Sequence, residues 1–172
     1  MTFHSTRPED VFFDAARKGD TALLKQLLEE GVDVNAQGPR GFTPLIIATY
    51  NNQLEATKIL LEAKADVNAQ DLSGNTALMG LCFNGYTDIA ETLLENGADM
   101  NLQNGSGGTA LMFATMYGRH NMVKLMLERG ADTTIRDSRG QTAYDMAVSI
   151  ENEEALKLMQ AHFNKTNQQE KE

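Results

Sequence analysis

The stretch Gly41-Phe42-Thr43-Pro44-Leu45 returns as Gly74-Asn75-Thr76-Ala77-Leu78, as Gly107-Gly108-Thr109-Ala110-Leu111 and as Gly140-Gln141-Thr142-Ala143-Tyr144. Each glycine and each threonine lies 33 residues from the next, and Asn35, Asn68 and Asn101 keep the same interval. Three independent columns with one period describe an array of equal units, each of which buries its apolar face only against its neighbours.

Within a unit the apolar residues fall in two short runs at helical spacing, such as Leu45, Ile46, Ile47 and Ala48, followed by Leu54, Ile59, Leu60 and Leu61. The unit therefore reads as helix, tight turn, helix. The threonine column stands where an N-cap is needed, with Pro44 at the first helical position, where a missing N–H costs nothing. Gly31, Gly97 and Gly130 follow the second, leucine-rich helix and suit a left-handed closing residue. Lys64 takes that place in one unit, at a strain of about 1 kcal/mol relative to glycine. The glycines at 41, 74, 107 and 140 lie before the next helix, where a projecting hairpin tip needs positive φ.

These motifs resemble the ankyrin repeat. The correspondence rests on Gly41-Phe42-Thr43-Pro44-Leu45, Asp71-Leu72-Ser73-Gly74-Asn75-Thr76, Gly97-Ala98-Asp99-Met100-Asn101 and Gly130-Ala131-Asp132, and it spans residues 9–163. The resemblance implies an all-α solenoid of five stacked helix-turn-helix repeats with short β-hairpin-like loops, at about 9–37, 38–70, 71–103, 104–136 and 137–163. Two departures stand out. The histidine that follows Thr-Pro-Leu in the family is replaced by Ile46, Met79, Met112 and Asp145, and Leu81 occupies an alanine position, so packing near 80–83 should differ from the family norm.

The first and last units read as caps. The first opens with Pro8-Glu9-Asp10; in the last, the column Leu28, Leu61, Leu94, Leu127 ends at Gln160, and the inter-helix glycine becomes Glu151. Residues 1–8 are expected to be a flexible N-terminus and 164–172 a disordered polar tail, having nothing to bury.

A formal charge of −9 repels phosphate backbones and anionic lipid, which argues against nucleic acid and membrane as partners. Apolar runs are far shorter than the roughly 20 residues of a membrane span, and the N-terminus shows no apolar signal region. The single cysteine, Cys82, excludes an internal disulfide. A cytoplasmic monomer is expected.

The search for chemistry yields little. His4, His120 and His162 are scattered with no cysteine or carboxylate at ligand spacing, so no metal site and no cofactor are expected. Cys82 sits at a small-residue position that favours an inert buried thiol. Gly105-Ser106-Gly107-Gly108 lacks the lysine and preceding strand of a phosphate loop and reads as a hairpin tip. Met122, Met126, Met146 and Met159 lie on core columns, and Asp33, Asp66, Asp99 and Asp132 recur singly because each serves the same turn. No catalytic group can be assembled, and the chain reads as a non-enzyme.

Ankyrin-like proteins bind through hairpin tips and the exposed face of the first helices, which together line a concave surface. Carried onto this chain, the positions closing the first helix are Arg17-Lys18, Tyr50-Asn51, Phe83-Asn84, Met116-Tyr117 and Ser149-Ile150. The scaffold requires no large side chain there, yet Tyr50, Phe83, Met116 and Tyr117 occupy successive units, with Phe42 near a tip. Amphipathic aromatics of low conformational entropy are the material of interface hot spots. Arg17, Lys18 and Arg40 flank them at one end, Asp145 and Glu151 at the other. The candidate partner-binding set is thus Arg17, Lys18, Arg40, Phe42, Tyr50, Asn51, Phe83, Asn84, Met116 and Tyr117, and the expected function is a protein-binding adaptor, inhibitor or regulatory subunit. The competing reading is a small-molecule or haem/metal carrier, with Tyr50, Tyr117 or His120 as axial ligand.

Overall fold

The computed structural model describes residues 7–169, which contain ten α-helices and no β-strand. In chain order they are α1 (Pro8–Lys18), α2 (Thr21–Glu29), α3 (Pro44–Tyr50), α4 (Leu54–Glu62), α5 (Ala77–Asn84), α6 (Thr87–Glu95), α7 (Ala110–Met116), α8 (His120–Glu128), α9 (Ala143–Ser149) and α10 (Glu153–Gln169). The odd-numbered helices pack in one row, α1 on α3 and so on to α9, and the even-numbered helices in a second row behind it.

The threonine column does what its chemistry predicts. The hydroxyls of Thr43, Thr76, Thr109 and Thr142 accept from the backbone N–H of Ile46, Met79, Met112 and Asp145 at 3.1–3.4 Å, and all four threonines are buried. At Thr142 the cap is reciprocal, because Asp145 Oδ2 accepts from the Thr142 N–H at 3.0 Å. A small-residue seam of Ala15, Ala48, Ala114 and Ala147 lets the helices of the first row approach closely.

In the third unit the seam residue is Leu81, fully buried, and the residue before it is Gly80. The corresponding pairs are Ile47-Ala48, Phe113-Ala114 and Met146-Ala147. Relative to those units, bulk has moved from the outer position to the inner one.

The loops form a second periodic system. Asp33, Asp66 and Asp99 each accept, through Oδ1, from the N–H of the asparagine two residues on, at 2.9 Å. That asparagine then reaches across: Asn35, Asn68 and Asn101 accept from the N–H of Asp66, Asp99 and Asp132 at 2.8–2.9 Å. At the hairpin tips the Leu72, Gly105 and Ser138 N–H groups donate to the carbonyls of Arg40, Ser73 and Ser106 at 2.9–3.0 Å. The tip glycines have φ of 75° (Gly41), 80° (Gly74), 76° (Gly107) and 78° (Gly140). The hairpin-like character is thus carried by bonds between successive tips and one isolated bridge, Gln70 to Thr76.

The terminal boundaries need correction. Residues 164–169, expected to be disordered, continue α10 as helix. Phe163 packs against the core with its ring 6.0 Å from that of Tyr144, and it anchors the helix at the expected boundary. Beyond it, Thr166 Oγ1 donates to the His162 carbonyl at 3.1 Å, so the polar residues follow the helix already nucleated behind them. At the other end Pro8 is the first helical residue of α1, and the Arg7 guanidinium bonds Asp10 at 3.2 Å. The rest of both expected terminal segments, 1–6 and 170–172, lies outside the described residues.

Candidate partner-binding face

The C-terminal ends of α3, α5 and α7 bring their aromatic residues onto one side of the first helical row. Tyr50 and Phe83 stack at 6.4 Å with 10° between planes, Phe83 meets Tyr117 edge-on at 4.6 Å, and Tyr117 lies 6.2 Å from Phe113. The row is therefore continuous across three units. Its members are unequal: Tyr50, Met116 and Tyr117 are 52%, 45% and 43% exposed, while Phe83, between them, is half-buried. Phe83 acts as the spacer that holds two exposed rings apart and upright.

The backbone beneath the row is cross-tied from unit to unit. Gln53 Nε2 donates to the Arg17 carbonyl (3.2 Å), Asn84 Nδ2 to the Tyr50 carbonyl (3.2 Å), Arg119 Nε to the Phe83 carbonyl (2.8 Å) and Asn152 Nδ2 to the Thr115 carbonyl (3.0 Å). Those to Arg17, Tyr50 and Phe83 satisfy carbonyls left open at the helix ends, while the Thr115 carbonyl also accepts from the Gly118 N–H at 3.2 Å. They also occupy Asn84, and Asn51 Nδ2 likewise donates to the Ile47 carbonyl at 2.8 Å. Both asparagines of the candidate set thus have an intramolecular role.

Two hollows open beside the row. The larger, about 530 Å³, lies between the second and third units, with Phe42, Tyr50, Met79 and Phe83 among its walls and Arg17 and Arg40 at its rim. The smaller, about 340 Å³, lies between the fourth and fifth units and includes Met116, Tyr117, Met146 and Arg139. Phe113 forms a wall of both. Arg17, Arg40, Phe42, Tyr50, Asn51 and Phe83 therefore share one hollow, Met116 and Tyr117 line the other, and Lys18 and Asn84 line neither.

Charge at the N-terminal end is uneven. Arg17 (3.3 Å) and Lys18 (2.6 Å) both bond the single carboxylate of Asp14, and chiefly the Lys18 ammonium holds that carboxyl below its ordinary range. At the C-terminal end the Asp137 and Asp145 carboxyls are also held low, first by the backbone N–H groups of Gln141 and Thr142 and then by Arg139 and Arg136.

Sequence reasoning missed three contributors to this face. Gly80 matters as a gap, legible only when its column is compared with Ile47, Phe113 and Met146. Phe113 had the matching signal, an aromatic in a column it shares with a glycine. Leu72, at a hairpin tip and 80% exposed, is an apolar residue in a column otherwise filled by Pro39, Gly105 and Ser138.

The remaining candidates for chemistry sit apart from the face. Cys82 is fully buried, and that burial drives its thiol pKa far up, away from the reactive thiolate. His120 Nε2 lies 3.0 Å from Asn152 Oδ1, inside the cross-tie to Thr115, and His120 lines neither hollow that holds Tyr50 or Tyr117. His4 is outside the described residues. Among the described residues no group of three His, Cys, Asp or Glu side chains could hold a metal ion, and no helix is long and apolar enough to cross a membrane. The backbone N–H groups of residues 105–108 all donate internally, to Ser73 O, Asn104 Oδ1 and Asn104 O, so this glycine-rich loop presents no free donors to a phosphate.

No curated protein matches the chain significantly. The family model described as ankyrin repeats (3 copies) matches it twice, over residues 12–104 and 82–169. Repeats of this family are generally protein–protein interaction modules and typically non-enzymatic. The match runs through nearly the whole helical array described above, and the chain belongs to the ankyrin repeat family.

Proposed function

We propose that the protein is a non-enzymatic adaptor, inhibitor or regulatory subunit, which as a monomer holds one partner protein against its concave face. The observation that carries this reading is the continuous row from Tyr50 through Phe83 to Tyr117, with two rings about half exposed on a scaffold that does not need them. Exposed aromatics braced by neighbours have already lost much of their rotamer freedom, so a partner that covers them gains apolar burial at little further entropic cost. The hollows beside the row provide concave relief for side chains of that partner. Arg17, Lys18 and Arg40 at one end and Asp145 with Glu151 at the other supply a charged rim that would fix its direction.

The test is affinity purification from the native host, identification of the bound protein, and titration of that purified protein against wild type and the Tyr50→Ala/Phe83→Ala double variant. Helicity by circular dichroism should be unchanged, because neither side chain caps a helix or fills the seam. Affinity should fall by about a hundredfold or more if the pair are hot-spot residues. Undiminished binding with intact helicity places the interface elsewhere.

A further inference from the structure

One residue of the larger hollow's lining, Gly80, carries no side chain. In the column Ile47, Gly80, Phe113, Met146 every other member carries a large side chain, and only the third unit leaves the position empty. Gly80 has no positive φ, so no backbone conformation calls for glycine, and a Cβ built there would meet Tyr50 Cδ2 at 3.6 Å, an ordinary contact. Glycine within a helix lowers helix propensity. Neither backbone geometry nor a clash at Cβ requires the gap, and it lies in the lining of the roughly 530 Å³ opening walled by Phe42, Ile46, Tyr50, Met79 and Phe83.

The rim has a second irregularity. Arg40 and Arg139 occupy the same place in their hairpins, one before the tip glycine. Arg139 is neutralised at 3.1 Å by Asp137, two residues earlier. The residue two before Arg40 is Gly38, and Arg40 has no ion pair among the described residues. The carboxylate on the wall, Asp71, is turned into its own hairpin, where Oδ1 accepts from the N–H of Ser73 (2.8 Å) and Asn75 (2.9 Å). On the other side of the hollow Arg17 and Lys18 share one carboxylate. Arg17, Lys18 and Arg40 outnumber Asp14 and Asp71 here, so an apolar hollow with a net cationic rim, on a chain of net charge −9, has a defined complement.

We propose that this hollow receives a large apolar side chain, aromatic or long aliphatic, carried by an acidic linear segment of the partner protein, and that Arg40 meets that segment's carboxylate. The inference rests on the concave-face reading above and specifies where on that face the partner is anchored. A peptide segment suits the site better than a compact small molecule, because the smaller hollow continues the same face beyond Phe113, giving a linear occupant a second place to seat a side chain.

The test uses the full chain and a randomised linear-peptide display library, selected on wild type, with the fluorescein-labelled consensus peptide then titrated by anisotropy against two variants. Gly80→Ile narrows the hollow beside Tyr50 with the residue type the second unit already carries at that column. It should fold with an unchanged or raised melting temperature and weaken the peptide about tenfold or more. Arg40→Gln should weaken it less, and most at low ionic strength. The expected consensus joins an aromatic, leucine or methionine residue to Asp or Glu. Failure to enrich any peptide, a consensus without acidic residues, or a consensus that binds Gly80→Ile as tightly as wild type overturns the proposal. A native partner that binds Gly80→Ile normally yet loses affinity for Tyr50→Ala/Phe83→Ala removes this anchor while leaving the concave-face reading intact.

Discussion

The loop edge of the solenoid and its concave face are built from the same repeats and obey different rules. On the loop edge each unit repeats its neighbour bond for bond: an aspartate closes the turn, an asparagine reaches to the next backbone, a glycine turns the tip. On the concave face adjacent units disagree. Ile47, Gly80, Phe113 and Met146 share a column, as do Arg17, Tyr50, Phe83, Met116 and Ser149. The periodic edge holds the array together, and it leaves these two columns free to vary because their side chains close no inter-repeat hydrogen bond. Where a residue is dictated by the scaffold and where it is not can therefore be measured separately.

The sharpest way to break the comparison is at the tip glycines. A Cβ at Gly107 would lie 2.9 Å from Ser138 N and 3.0 Å from Asp137 Cα, both backbone atoms of the next hairpin, at φ 76°. At Gly140, the last tip, φ is 78° and nothing lies within 4 Å. The two share a conformation and differ in neighbour. Gly107→Ala should cost about 2–3 kcal/mol, conformational strain plus displacement of a hairpin. Gly140→Ala should cost about 1 kcal/mol, the strain alone. Urea denaturation of both variants measures the difference; equal losses would mean that the hairpins do not brace one another.

The asparagine ladder comes next. Asn68 Oδ1 accepts from the Asp99 N–H at 2.8 Å, and its Nδ2 lies 3.3 Å from the Gly97 carbonyl. Asn68→Ala leaves both backbone groups to water and should cost about 1–2 kcal/mol in the same denaturation experiment. A loss near zero would assign the cohesion between repeats to the helices alone.

These contrasts explain what was legible in the sequence. The threonine caps, the tip glycines and the Asp33/Asp66/Asp99/Asp132 turn role could be read directly, because each is a local backbone requirement with a residue type that meets it, repeated until it could not be chance. Residues 164–169 were misread because composition indicates only that a segment has little to bury, whereas their helix is inherited from the turn that Phe163 anchors. The aromatic row was visible as a set of large residues at helix ends. Its internal order, with Phe83 half-buried between two exposed tyrosines, was not, since exposure there depends on which ring leans on which. The hollow was harder still, because its signal is a missing side chain, and Gly80 stands out only against the occupants of its own column.

The smallest effect concerns a place where the loop edge departs from its rule. Gly31, Gly97 and Gly130 close their helices with φ of 84–87°, and a Cβ added at any of them would find nothing within 4 Å. Lys64 adopts the same left-handed conformation, φ 67°, and keeps the same closing bond, its N–H donating to the Leu61 carbonyl at 3.0 Å. Space is therefore not the issue, and the strain is that of a β-carbon at positive φ. Lys64→Gly relieves it but enlarges the unfolded ensemble, so the two terms oppose and the net gain should be about 0.5–1 kcal/mol. Asn52, at φ 58°, is the control, since asparagine tolerates this region and Asn52→Gly should gain less. A thermal melt that ranks Lys64→Gly above Asn52→Gly ties the stabilisation to relieved backbone strain. The reverse order would mean that the Lys64 side chain contributes to the edge in a way its neighbours' glycines cannot.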